Sequence, residues 1–217
     1  MLQKNYTLKC FSSLVDSFNV HYKSDLLDKK KADKYYQILE DKLEYLPAEK
    51  SKIIIYGKSH EIPRKQVAYG APGTFYTFSH NRVYAKSWND KTDLVCRVLK
   101  NIKHKVEVFT GKKFNFVLIN RYNDGDDYIS FHADDEKELG DDPSIVGVSL
   151  GAERDFKFKP KKDFYPQKIP TDLTLTLHHG SIVAMYDPTN RQWLHSLPKR
   201  ANINKPRISL TFRYLHM

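Results

Sequence analysis

Apolar residues recur at helical spacing in two stretches of the chain and at strand spacing through most of the rest. Over residues 32–46, Tyr35, Ile38, Leu39, Leu43 and Leu46 fall three or four apart, which predicts an amphipathic helix stopped by Pro47. Over 92–109, Leu94, Val95, Val98, Leu99, Ile102 and Val106 mark the apolar face of a second helix. Between them lies a β-branched run, Lys52–Tyr56, turned by Gly57, and then strand-like sequence around Tyr69–Phe78. After Gly111 the period shortens. Phe114–Tyr122, Ile145–Leu150, Asp155–Phe158, Leu173–His178, Ser181–Met185 and Ile208–Tyr214 are short, rich in β-branched and aromatic residues, and separated by Gly, Pro, Asp or Asn. That spacing predicts a β-sandwich or jelly roll over 111–217, preceded by helices. Residues 1–30 show neither period and are expected to form a loosely ordered segment before a single domain over 31–217.

Length and composition agree with one globular domain: 217 residues, 40% hydrophobic and 29% charged. No apolar run is long enough for a membrane helix, and the first residues lack the features of a secretory signal, so a reducing intracellular compartment is expected. Cys10 and Cys96 are too few for a disulfide framework or a thiolate zinc site. The net charge of +10 favours a polyanionic partner.

Chemistry concentrates in the second half. His132-Ala-Asp134 places an imidazole and a carboxylate on one side of an extended chain, and His195 follows in Gln192-Trp-Leu-His195-Ser. Two histidines and one carboxylate form a facial triad with adjacent positions open, the arrangement of non-haem iron(II) oxygenases. The same donors also suit zinc, which would make a hydrolase. His178 and His179 are expected to make structural hydrogen bonds. In Pro206–Arg213, Ile208, Leu210 and Phe212 alternate with Arg207, Ser209, Thr211 and Arg213. The first set belongs to a core. The second is either a solvated face or a grip for a dicarboxylate, which a guanidinium binds bidentately.

The ordered motifs Asn120-Arg-Tyr122-Asn-Asp-Gly through His132-Ala-Asp134-Asp135-Glu136, Ser149-Leu-Gly-Ala-Glu-Arg154-Asp155-Phe156, His195-Ser-Leu-Pro and Arg207 through Arg213 resemble the AlkB family of demethylases. Pro63-Arg-Lys-Gln-Val-Ala-Tyr69-Gly and Tyr76-Thr77-Phe78-Ser79 are similar to its double-strand-acting branch. The resemblance runs from about residue 32 to the end. It implies a double-stranded β-helix core over 111–217 and, over 31–110, helices with a nucleotide-recognition lid.

By that resemblance His132, Asp134 and His195 hold Fe(II). Asn120 and Tyr122 contact 2-oxoglutarate, Arg213 pairs with its distal carboxylate, and Arg207 and Thr211 complete the pocket. With oxygen as co-substrate, an N-methyl group is hydroxylated and leaves as formaldehyde, as in repair of 1-methyladenine and 3-methylcytosine. Tyr76, Thr77, Phe78 and the His132 ring are expected around the extruded base. Asp135 and Glu136 would favour a cationic lesion, or are simply part of an acidic loop. Tyr56, Gly57 and Lys58 correspond to a hairpin that wedges the duplex, with tyrosine where the relative has phenylalanine. Lys157, Lys159, Lys161, Lys162, Lys199 and Arg200 are expected phosphate contacts. The implied partner is alkylated DNA acted on by a monomer, nuclear by analogy. A demethylase of RNA or single strands, and a non-catalytic nucleic-acid-binding protein, are the alternatives.

Overall fold

The computed structural model describes residues 5–7, 17–47, 52–55, 58–78, 81–141, 143–164 and 173–216. In chain order the strands are β1 (Asn5–Thr7), β2 (Val20–Lys23), β3 (Lys52–Ile55), β4 (Lys58–Glu61), β5 (Lys65–Gly70), β6 (Phe75–Phe78), β7 (Asn81–Tyr84), β8 (Lys86–Ser87), β9 (Phe116–Tyr122), β10 (Ile129–His132), β11 (Ile145–Gly151), β12 (Arg154–Pro160), β13 (Leu173–Leu177), β14 (Ile182–Met185), β15 (Trp193–Leu197) and β16 (Arg207–Arg213). Of the two long helices, α1 (Lys29–Lys42) lies between β2 and β3 and α2 (Leu94–Thr110) between β8 and β9, and a single turn, α3 (Thr189–Gln192), precedes β15.

The strands form an eight-stranded sheet in the order β1-β2-β14-β11-β16-β9-β5-β8 and a four-stranded sheet in the order β10-β15-β12-β13. This is the expected jelly roll. Two apolar layers hold it together. One, including Val117, Ile119, Val146, Leu150, Ile208, Leu210 and Phe212, lies between the large sheet and the two helices. The other joins the inner faces of both sheets through Phe116, Leu118, Phe158, Leu177, Trp193 and Leu197. The hairpins β3–β4 and β6–β7 stand apart as two-stranded sheets.

Both helices are set by local chemistry. The Asp28 side chain accepts from Lys31 N at 2.9 Å and opens α1, which buries Ala32, Tyr35 and Leu39. Asp93 caps α2 through Cys96 N at 2.6 Å, and Gly111 closes it in the left-handed region at φ 68°. Leu94, expected on the apolar face of α2, is instead 46% exposed, while Val95 and Cys96 beside it are buried.

Residues 17–30 depart most from expectation. β2 pairs with β14 from Val20↔Met185 to Lys23↔Ile182, and Val20, Tyr22 and Leu27 are buried. The basic run Lys29–Lys31 is the first turn of α1. Residues 17–30 thus belong to the folded core, since a strand supplied from far away covers the edge of β14. Among the described residues no helix is long and apolar enough to cross a membrane. His178 and His179 make the expected structural bonds: His178 Nδ1 to the Tyr22 hydroxyl at 2.7 Å, and His179 Nδ1 accepting from Gly151 N at 2.8 Å.

Candidate active site

β10 and β15 are neighbours, and their register sets His132 directly opposite His195, with ring centroids 4.2 Å apart. Asp134 sits just beyond β10 in a loop whose backbone is held by Asn190, which donates from Nδ2 to the Asp134 carbonyl. One ligand atom from each of His132, Asp134 and His195 lies within 4.8 Å of the others. His132 Nδ1 lies 2.8 Å from the Ser130 carbonyl, which fixes that nitrogen as the donor and leaves Nε2 for a metal.

Electrostatics prepare these groups as ligands. Burial pushes the Asp134 carboxyl up, but Arg213, His195 and His132 outweigh it and hold the group at about 2. Burial first, and then His132, drive the His195 imidazole down to about 3, and burial lowers His132 as well. The site therefore presents two neutral imidazoles and a carboxylate near neutral pH, the forms that bind a metal.

Beside the triad opens a cavity of about 660 Å³. It is bordered by Asn120, Tyr122, Tyr76, Thr77, Asp135, Glu136, Arg207, Thr211 and Arg213 together with the triad. The polar face of β16 is thus neither solvated nor core: Arg207 is 2% exposed and Arg213 4%. Arg213 donates from Nη2 to Asp134 Oδ1 at 2.7 Å and lies over the Tyr76 ring at 4.6 Å. Its Nε and Nη1 are buried without a hydrogen-bond partner, and so is Nε of Arg207, whose Nη2 donates to Ser149 Oγ at 2.8 Å. Burial lowers Arg207 to about 10, which leaves it charged. Two buried cations with open donors facing one cavity fit a dianionic ligand. Arg213, expected at the distal carboxylate, lies directly against Asp134 of the candidate metal cluster. Alternation along a strand reports which face a residue shares, not how near it is to His132.

Tyr76 is 3% exposed, with Arg213 over its ring, Phe116 tilted against it at 5.8 Å and its hydroxyl donating to Glu136. It is a wall of the cavity rather than an open stacking platform. Burial raises the Glu136 carboxyl, while Asp135 is exposed at the rim. Tyr56 and Gly57 lie outside the described residues, and so do the side chains of Lys58 and Phe78. The backbones of those last two belong to β4 and β6.

Three residues escaped recognition as part of the machinery. Asn120 Oδ1 accepts from Arg64 Nε at 3.0 Å and Gln66 Nε2 at 2.8 Å, which turns its amide NH₂ toward the cavity. Both sit in the Pro63–Tyr69 motif, whose arginine two places before a glutamine was the available signal. The third is Arg154, which is fully buried. It donates to the carbonyls of Asp124 and Asp127 ahead of β10, each at 2.8 Å, and of Pro198 after β15, at 2.7 Å. It ties together the loops flanking both histidines. Hydrogen bonds to a buried charge are each worth about 1.5–3 kcal/mol, so Arg154→Ala is expected to cost more than about 3 kcal/mol in urea denaturation. A midpoint within error of wild type would remove this tie.

Comparison with known proteins gives a consistent picture. The sequence profile of the 2OG-Fe(II) oxygenase superfamily matches residues 19–213. The chain is 43% identical over 190 residues to the DNA oxidative demethylase ALKBH2 of Bos taurus, a match covering 87% of this chain and 66% of the bovine protein. The identity to Homo sapiens ALKBH2 is also 43%, covering 87% of this chain and 70% of the human one. The chain thus spans about two thirds of these relatives' length. In fold it resembles a prolyl hydroxylase from Trichoplax adhaerens, with a TM-score of 0.56 at 8% identity over 92% of this chain and 86% of that one. Two histidines and an aspartate gathered beside two buried arginines are therefore carried by a chain that belongs to the AlkB family of 2OG-Fe(II) oxygenases, as an ALKBH2-like member.

Proposed function

We propose that the protein is an oxidative demethylase of N-alkylated DNA bases such as 1-methyladenine and 3-methylcytosine, acting on duplexes. The observation that carries this reading is the cavity itself, which brings three candidate metal donors together with unpartnered guanidinium donors and with Asp135 and Glu136. His132, Asp134 and His195 would hold ferrous iron. Asn120, Tyr122, Arg207, Thr211 and Arg213 would hold 2-oxoglutarate, with Arg207 at its distal carboxylate and Arg213 at the end nearer the metal. Together with oxygen these groups supply the oxidation of an N-methyl to a hydroxymethyl group, which leaves as formaldehyde, with succinate and carbon dioxide as co-products.

The chain's own contribution is position and charge. Arg64 and Gln66 hold the Asn120 amide as a donor. Buried walls exclude water from the methyl group. Asp135 and Glu136 lower the energy of a cationic methylated base relative to a neutral one. A methyl on the pairing edge also weakens the base pair, so extrusion of the damaged base costs less. Thr77 borders the cavity and Phe78 ends the same strand, and both would serve the extruded base. In the β3–β4 hairpin Ile55 pairs with Lys58, so Tyr56 and Gly57 alone join the strands. An aromatic residue there suits a wedge into the gap left by the extruded base.

The test is formaldehyde release from matched methylated oligonucleotides, single- and double-stranded, DNA and RNA, with iron and 2-oxoglutarate supplied. Duplex DNA is expected to be the best substrate, and Tyr56→Ala is expected to remove that preference while sparing single strands. No release from any of them, or faster release from RNA, would overturn the reading.

A further inference from the structure

β10 is an edge strand of the small sheet: it pairs with β15 on one side, and among the described residues no strand of that sheet lies on the other. Every residue from Tyr128 to Glu136 borders the cavity, although side chains in a strand alternate between faces. The free edge of β10 is therefore the rim of the opening. His132 points inward from this rim. Phe131, one residue earlier, is 37% exposed, an unusual place to leave a large apolar ring. Lys159 reaches across from β12, with Nζ 5.6 Å from the centre of the Phe131 ring. Among the described residues Lys159 makes no ion pair. Three residues earlier on the same rim, the arrangement repeats: Lys199 Nζ lies 5.5 Å from the ring centre of Tyr128 and pairs with Asp126 at 3.7 Å.

A cation and an open aromatic face together recognise a nucleotide: the ring stacks on a base of any sequence and the ammonium meets the adjoining phosphate. We propose that Phe131, with Lys159, is the stacking platform for the nucleotide next to the extruded base, and that this rim guides the damaged strand into the cavity. The inference rests on the demethylase reading above and extends it, because it assigns a binding role to a residue outside the cavity's catalytic face. Neither side chain is among the metal donors, so Phe131 and Lys159 are expected to act on substrate capture and not on chemistry.

The experiment compares the wild type, Phe131→Ala, Phe131→Trp and Lys159→Ala. Each is assayed by formaldehyde release from a methylated single-stranded pentanucleotide and from the methylated mononucleotide, which has no neighbour to stack. Phe131→Ala is expected to raise KM for the pentanucleotide about five- to tenfold, the scale of one lost stacking contact, with kcat and mononucleotide turnover unchanged. Phe131→Trp is expected to restore the wild-type KM, and Lys159→Ala to weaken its dependence on salt. Equal losses on both substrates would show a structural role and overturn the proposal, as would an unchanged KM in Phe131→Ala. A wild type inactive on both would instead count against the demethylase reading itself.

Discussion

Asp134→Ala is expected to abolish formaldehyde release and to lower stability at the same time. The activity loss follows from removing the one carboxylate among the three candidate metal donors. The stability loss follows from what remains. Arg213 is 4% exposed and pairs with Asp134 at 2.7 Å. Truncating one partner of a buried ion pair costs about 3–5 kcal/mol, because the other charge is left without compensation. For a domain of this size each kcal/mol lowers Tm by about 2–4 °C. His132→Ala serves as the control: it removes a donor at the rim without orphaning a buried charge, so it is expected to be equally inactive yet close to wild type in Tm. Turnover in either variant would refute the metal assignment. An unchanged Tm in Asp134→Ala would refute the account of the Arg213 pair.

Arg207→Ala is expected to raise the 2-oxoglutarate requirement by at least about thirtyfold, from the roughly 2–5 kcal/mol lost when a buried charge-assisted contact is truncated. Arg207 is held by Ser149 and by the ring of Tyr122, whose centre lies 5.4 Å from its guanidinium carbon. Lysine cannot reproduce a planar fork, so Arg207→Lys is expected to recover only part of the affinity. The readout is KM for 2-oxoglutarate at saturating DNA, with iron binding to the apoprotein measured alongside. Intact iron binding with a raised KM supports a role at the distal carboxylate. An unchanged KM would reject it and return that role to Arg213.

What could be read beforehand was whatever a local period or a donor motif encodes. The six apolar positions of the second helix include five buried ones, Val95, Val98, Leu99, Ile102 and Val106. The alternation in β16 separated core residues from pocket residues correctly, and His132-Ala-Asp134 with His195 named the cluster that the fold brings together. What stayed hidden depends on partners distant in sequence. β2 carries only two buried side chains and is a strand because β14, some 160 residues away, pairs with it. β10 reads Ile-Ser-Phe-His with no fully buried residue, so it lacks the apolar signature of a strand despite bearing a metal donor. Arg64, Gln66 and Arg154 look like surface residues until the carbonyls and amide they hold are seen beside them.

β16 carries three fully buried apolar side chains on its helix-facing side and Arg207, Ser209, Thr211 and Arg213 on its cavity side. A slip of one residue against β9 or β11 would drive both guanidiniums into the oily layer beneath the helices and turn Ile208, Leu210 and Phe212 into the cavity. The cavity's arginine-bearing wall and the hydrophobic layer therefore share a single alignment constraint, so a chain that has found its core has already assembled that wall. Single-residue insertions or deletions within this strand should for that reason give unfolded protein and never a folded but weakened enzyme.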